Sequence, residues 1–208
     1  MESVKSRRAE YAEQTRAAIV SAAAEAFAGQ GFAATSITRI ATAAHVTKGA
    51  IYHHFPDKQA LFEAVFRQCN EAAQQQVYAA VAEYADDPWE TALAGLAATL
   101  DVSLDPVAAR LIYVEGPVGL GWRRWRESED HYTRRNVRLL LQGLISAGIY
   151  SDHIPVDAMT QVVTGMITHA GISLAEASSR KRKTVHRDLY TAIQQIMLGL
   201  RRTEAGPR

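Results

Sequence analysis

Cysteine occurs once in the 208 residues, as Cys69, so no internal disulfide can form. Such usage fits a reducing compartment. No uninterrupted apolar run approaches the length a membrane-spanning helix needs, and the first dozen residues are charged, unlike a signal peptide. Neither sign of charge dominates: 23 Lys and Arg stand against 22 Asp and Glu, for a net charge of +1. A nucleic-acid partner would therefore need positive charge concentrated locally, because phosphate neutralisation supplies most non-specific affinity. Catalytic constellations are missing too. The serines lack a nucleophile-elbow context, no metal-ligand cluster occurs, and the carboxylates are scattered over amphipathic faces. The expectation is a cytoplasmic protein that is not an enzyme, needs no cofactor or metal and does not engage a membrane.

What is present is helix. Apolar residues make up 48% of the chain and charged ones 22%, as in a folded globular protein. From about Glu10 to Ala28 an alanine-rich segment carries Ile19, Val20, Ala23 and Phe27 on one stripe, and Gly29-Gln30-Gly31 ends it. Residues 1–9, with Lys5, Arg7 and Arg8, read as a solvated tail or as a basic arm for DNA.

The informative stretch is 35–58, TSITRIATAAHVTKGAIYHHFPDK. Ser36 can cap a helix bearing Ile37, Ile40 and Ala41. Thr47 offers a second N-cap, and Ala50, Ile51 and Phe55 recur behind it at helical spacing. Pro56 lacks an N–H and pushes Phe55 out of helical geometry, which stops the second helix. Two short helices joined by a tight turn, about residues 36–55, match the helix-turn-helix, whose second helix enters the DNA major groove. On that helix Lys48, Gly49, Tyr52 and His53 share the face opposite Ile51 and Phe55. Lys48 suits a phosphate or a guanine edge. Gly49 permits close backbone approach, at a cost of up to roughly 1 kcal/mol relative to alanine. Tyr52 and His53 suit phosphate or sugar. The adjacent His53 and His54 diverge by about 100 degrees on a helix, unlike the spacing that lets two imidazoles share one ion.

The order T-S-x-x-x-I-A-x-A-A-x-V-T-K-G-x-I-Y-H-H-F-P-x-K resembles the DNA-binding domain of the TetR/AcrR family of bacterial transcriptional regulators. The close match covers about residues 12–66. The resemblance implies DNA contacts for Thr38 and Thr47 and a phosphate clamp for Lys58. Three positions depart from the usual pattern: His45 stands where glycine is common in the turn, Arg39 where an acid often completes a capping box, and Ala50 where many relatives present a hydroxyl.

Beyond the head, one helix runs from Asp57 to about Ala85, a span of roughly 40 Å. Leu61, Phe62, Val65, Phe66, Cys69, Val77, Val81 and Tyr84 line one side of it. Cys69 there reads as a small buried hydrophobe, not a nucleophile. Asp87-Pro88 and Asp105-Pro106 open further helices. EGPVGLG at 115–121 lacks the pattern of a phosphate loop. With the following WRRWRE it resembles a motif of one branch of the family's effector domains, a connection between two helices beside the ligand cavity. A long helix follows from Trp122 to Ala147, then one opened by Pro155 and a last one at about 184–200, with the basic run Arg180-Lys181-Arg182-Lys183 between them as an exposed connection.

The expected architecture is thus all-α, about nine helices. It comprises an N-terminal arm and DNA-binding domain at 1–57, a linking helix at 58–85, and an effector-binding and dimerisation domain at 86–204. Tyr113, Trp122, Met166 and His169 are candidate effector contacts, being large or polar on apolar inner faces. In relatives the last two helices pair with a two-fold mate, which would place Met159, Val163, Met166, Ile167, Leu189, Ile193, Ile196 and Leu200 in a homodimer interface. The expected partners are double-stranded operator DNA, a small-molecule effector and a second copy of the chain. The expected function is a ligand-released repressor on a palindromic operator. An activator or a ligand-independent regulator is the alternative, and a carrier or enzyme with a vestigial head a more distant one.

Overall fold

Side-chain oxygens start five of the helices. Ser36, Thr47, Asp57, Asp87 and Asp105 each stand in extended geometry and accept hydrogen bonds from N–H groups two or three residues on. Pro88 and Pro106 fill the first position behind two of these caps, where a missing N–H costs nothing. The computed structural model describes residues 2–202, except for the side chains of 2–6 and 8. Its helices are α1 (Glu2–Gln30), α2 (Ile37–Ala43), α3 (Lys48–His54), α4 (Lys58–Ala82), α5 (Pro88–Val102), α6 (Pro106–Ala109), α7 (Gly116–Leu120), α8 (Trp122–Glu129), α9 (Arg135–Ser146), α10 (Val156–Glu176) and α11 (Ser179–Gly199). The π-helical stretch Arg110–Glu115 joins α6 to α7, and Asp130–Arg134 joins α8 to α9, leaving nine continuous helices among the described residues.

Several boundaries differ from the sequence reading. Helix α1 begins at Glu2, so residues 2–9 are its first turns and not a tail; Arg7 is exposed, while the side chains of Lys5 and Arg8 lie outside the described residues. The basic run 180–183 opens α11 instead of preceding it. Arg182 reaches back from there to the carbonyls of Leu174 and Ala177, at 3.1 and 3.0 Å, and satisfies the open end of α10. The segment 116–120 is helical, and only Gly121, at φ +81°, bends the chain. Its glycines serve packing. A Cβ on Gly116 would lie 2.7 Å from Trp125, and one on Gly119 would lie 2.4 Å from Phe62.

The first core gathers Ile19, Val20, Ala23 and Phe27 of α1, Ile40, Ala41, Ile51 and Phe55 of the helix-turn-helix, and Leu61, Phe62, Val65 and Phe66 of α4. Phe27, Phe32 and Phe62 meet with ring centroids 5.1–5.7 Å apart, each such pair adding about 0.5–1.5 kcal/mol beyond area burial. Leu111 and Trp125 belong to the same cluster. The head is therefore packed onto the rest of the chain as well as joined to it through α4. Two further clusters lie among α5, α9, α10 and α11. A short bridge pairs Tyr150 with Arg201 and ties the end of α11 to the turn after α9.

His45, between α2 and α3, adopts φ +55°, the one non-glycine residue in that region among those described. Its side chain is exposed, so the conformation is set by the turn. His45→Gly should stabilise the fold by up to about 1 kcal/mol by removing this steric cost. Urea unfolding would show it as a higher midpoint with an unchanged slope.

Candidate nucleic-acid interface and effector cavity

Thr47 fixes the start of α3 by accepting from Ala50 N at 3.1 Å. Ile51 and Phe55 face inward, fully buried or nearly so. The opposite side carries Lys48, Gly49, Tyr52 and His53, all exposed, with Tyr52 52% accessible. Thr38 on α2 is exposed beside them. Gly49 is instructive: its φ is ordinary, and a Cβ there would meet only the Thr47 hydroxyl, at 3.7 Å. Nothing among the described residues calls for a glycine at this second position of α3. His54 is half-buried against Phe55, and no metal-holding cluster of His, Cys, Asp or Glu occurs among the described residues.

Lys58 departs from the phosphate role. Its ammonium donates to the carbonyls of Phe32, Ala33 and Thr35, at 2.9, 3.3 and 3.2 Å, and lies 4.5 Å from the centroid of the Phe32 ring. Three donors meet three carbonyls, so no proton is left for DNA. Arg39 is similarly engaged: with the Gln30 amide oxygen turned toward it, its guanidinium hydrogen-bonds at 2.6–2.8 Å and ties α2 to the end of α1. On the other side of the same turn, buried Glu115 accepts from Phe32 N at 2.8 Å and pairs with Arg110 at 3.3 Å. Gly31, at φ +86°, brings the chain close enough that its Cβ would stand 3.2 Å from that carboxylate.

Within the body lies a cavity of about 270 Å³ walled by α4, α5, α9, α10, α11 and both π-helical stretches. Of the candidate effector contacts, Tyr113 and Met166 line it. Trp122 and His169 do not; they border a separate cleft of about 400 Å³ on the far side of Tyr113, together with Arg126, Glu129, Asp130 and Arg134. Trp122 is 64% exposed. Glu129 is held above the usual carboxylate range, chiefly by burial, with Thr168 and Arg126 opposing the shift. Burial pushes the Tyr113 phenol up to about 12, so it stays protonated at neutral pH. Cys69 is likewise pushed up to about 12 by burial, with Asp105 adding to the rise, which leaves it a thiol and no nucleophile.

The set expected at a dimer interface is also redistributed. Met159, Val163, Met166, Ile167, Ile193, Ile196 and Leu200 line the cavity, and Leu189 packs on the cluster of Leu96, Leu100 and Leu174. Of these eight only Ile196 is largely exposed. Helical periodicity marks an apolar face, and here most of that face turns inward. Sequence reasoning missed Asn70, Gln74 and Asn136 in the cavity wall. A signal existed: Asn70 and Gln74 interrupt the apolar stripe of α4 one turn apart.

A helix-turn-helix head joined by one long helix to an all-helical body with an internal apolar cavity is the architecture of a bacterial regulatory protein. The chain belongs to the TetR family: a family model described as "Bacterial regulatory proteins, tetR family" matches residues 19–65, and one described as "Tetracyclin repressor-like, C-terminal domain" matches residues 89–200. The family and the curated relatives are transcriptional regulators, not enzymes. The HTH-type transcriptional regulator TtgR of Pseudomonas putida is 40% identical over 79 residues, and AcrR of Shigella flexneri is 47% identical over 55. These matches span 38% and 26% of this chain, and the same shares of the relatives' own lengths. A TetR-family transcriptional regulator from Pectobacterium atrosepticum superimposes with a TM-score of 0.75 at 26% identity, covering 96% of this chain and 98% of that one. FadR of Bacillus subtilis, solved in complex with stearoyl-CoA, superimposes with a TM-score of 0.71 at 18% identity over 87% of this chain and 96% of its own, a likeness of fold. No single helix among the described residues is long and apolar enough to cross a membrane.

Glu115→Ala leaves the Phe32 N–H without its acceptor, and Lys58→Met leaves three carbonyls without a donor. Each should cost about 1–3 kcal/mol of stability in urea unfolding. Glu115→Gln, which keeps an acceptor, should lose less.

Proposed function

We propose that this protein is a repressor that binds a palindromic operator as a homodimer and is released by a small molecule held in the body. The observation that carries the reading is the face of α3. It displays a cation, a phenol and an imidazole around a glycine that the chain's own packing does not require. Lys48 and His53 would meet phosphates or base edges, Tyr52 a phosphate or sugar, Gly49 would admit the DNA backbone, and Thr38 and Thr47 would add hydroxyl contacts from the flanking positions. Lys58 would act one step behind, by holding the turn against which the head packs.

The outward sides of α10 and α11 favour a second copy. Val162 and Ile196, where the cavity reaches the surface, are 58% and 49% exposed, and a Cβ on Gly165 or Gly199 would meet nothing within 4 Å. Two-fold symmetry would set the recognition helices about 34–36 Å apart, in successive major grooves. A ligand that prefers a conformer with a different head separation would then shift the population away from the operator; only that preference counts.

Selection from random duplex DNA should enrich a palindrome with half-sites about one helical turn apart. Enrichment of nothing would overturn the reading, as would a light-scattering mass at the 22.8 kDa of one chain at micromolar concentration. On the selected site Tyr52→Ala and Lys48→Ala should each weaken binding by about 1–3 kcal/mol in a mobility-shift titration. Gly49→Ala separates the two roles of that position: it should stabilise the fold by up to about 1 kcal/mol while weakening the complex.

A further inference from the structure

We infer that the cavity selects an uncharged, mainly apolar molecule whose one hydrogen-bonding group is held by Asn70 and Gln74 of α4 together with Asn136 of α9. The inference rests on the effector reading above and names the class of molecule that would fill the site. Its first support is charge. Among the described residues no Asp, Glu, Lys, Arg or His lines the cavity; Arg126, Glu129, Asp130 and Arg134 border the separate cleft that shares Tyr113 with it. An ion entering this space would shed much of its water with no counter-charge in the lining to meet it, which is costly unless it neutralises.

The second support is where the polar groups sit and which of them are already used. Thr99 donates its hydroxyl proton to the Gly95 carbonyl at 2.7 Å, and the Tyr150 hydroxyl donates to Met197 O at 2.9 Å. Asn70 donates through Nδ2 to Phe66 O at 2.9 Å, which leaves its Oδ1 as an acceptor. The side chains of Gln74 and Asn136, like the hydroxyls of Tyr132 and Thr133, line the cavity with no hydrogen bond to protein among the described residues. Asn70 and Gln74 stand one turn apart on α4 and therefore on one face. Asn136 stands on α9, directly after the π-helical stretch 130–134, and lines the same cavity. Leu144, Met159, Met197 and Leu200 line the cavity with apolar surface from α9, α10 and α11. A molecule with an alcohol, ketone or amide on an apolar body satisfies both regions at once. Its polar group would then bear on the helix that begins at Lys58, twelve residues or roughly 18 Å along its axis from Asn70.

Two dyes that share a skeleton test the inference on the full chain: uncharged N-phenyl-1-naphthylamine and 8-anilino-1-naphthalenesulfonate, whose sulfonate cannot neutralise. The uncharged dye should bind once per chain, with a Kd lower by roughly tenfold or more, and Val163→Trp, which fills the cavity, should abolish its binding. 1-Octanol should displace it where octanoate at pH 8 fails, and the double variant Gln74→Leu/Asn136→Leu should weaken displacement by octanol roughly tenfold. If binding that is lost in Val163→Trp is as tight for the sulfonate or octanoate as for the uncharged partner, the ligand class is wrong while the effector reading stands. If neither dye shows binding sensitive to Val163→Trp, both fall. Undiminished displacement by octanol in the double variant would overturn the assignments of Gln74 and Asn136.

Discussion

The turn at residues 31–35 is gripped from two sides by opposite charges, and the placement of the head depends on that grip. Glu115 takes the N–H of Phe32 from below, while Lys58 takes the carbonyls of Phe32, Ala33 and Thr35. Hydrogen bonds to charged groups contribute about 1.5–3 kcal/mol each in favourable settings, more than neutral ones. One of the two side chains comes from the body and the other from the linking helix, so a single turn joins α1, α4 and the π-helical stretch. Phe32 then lays its ring against Phe27 and Phe62. The two glycines of α7 close the remaining gap, since any larger residue would collide with Phe62, Phe66 or Trp125. The head is seated on the body by hydrogen bonds that fix its position and by contacts that leave little room for another.

The helix-turn-helix was legible because its signals are local. Caps at Ser36 and Thr47, the stop at Pro56 and the alternation of inward and outward residues all act within a few positions. Even the strain at His45 could be anticipated from its place in a turn. Lys58 could not, because its partners lie 23–26 residues earlier and are backbone carbonyls that leave no mark in sequence. The resemblance made 116–121 a connection between helices, whereas 116–120 is helical because tertiary packing overrides glycine's low helix preference. The redistribution of Met159, Val163 and Ile167 has the same origin. Periodicity reports that a face is apolar and says nothing of whether a cavity, a neighbouring helix or another molecule covers it.

Both departures from α-helical register fall at the cavity, and this accounts for how one short segment serves two surfaces. A π-helical turn holds one residue more than an α-turn, which shifts the side chains after it by about 100 degrees relative to an uninterrupted helix. Within Arg110–Glu115 the wider register sends Ile112 and Tyr113 to the cavity and Leu111 and Glu115 to the head. The stretch Asp130–Arg134 does the same for Tyr132 and Thr133 at the opposite wall. Helix α4 gives a second shared element: Leu61, Phe62, Val65 and Phe66 close the head core, and Asn70, Gln74 and Val77 face the cavity further along. Cavity and head thus share two rigid walls with no flexible linker between them. On the proposed reading, a change in either wall that accommodates a ligand must be passed to the turn at 31–35, because the close contacts at Gly31, Gly116 and Gly119 leave no slack to absorb it.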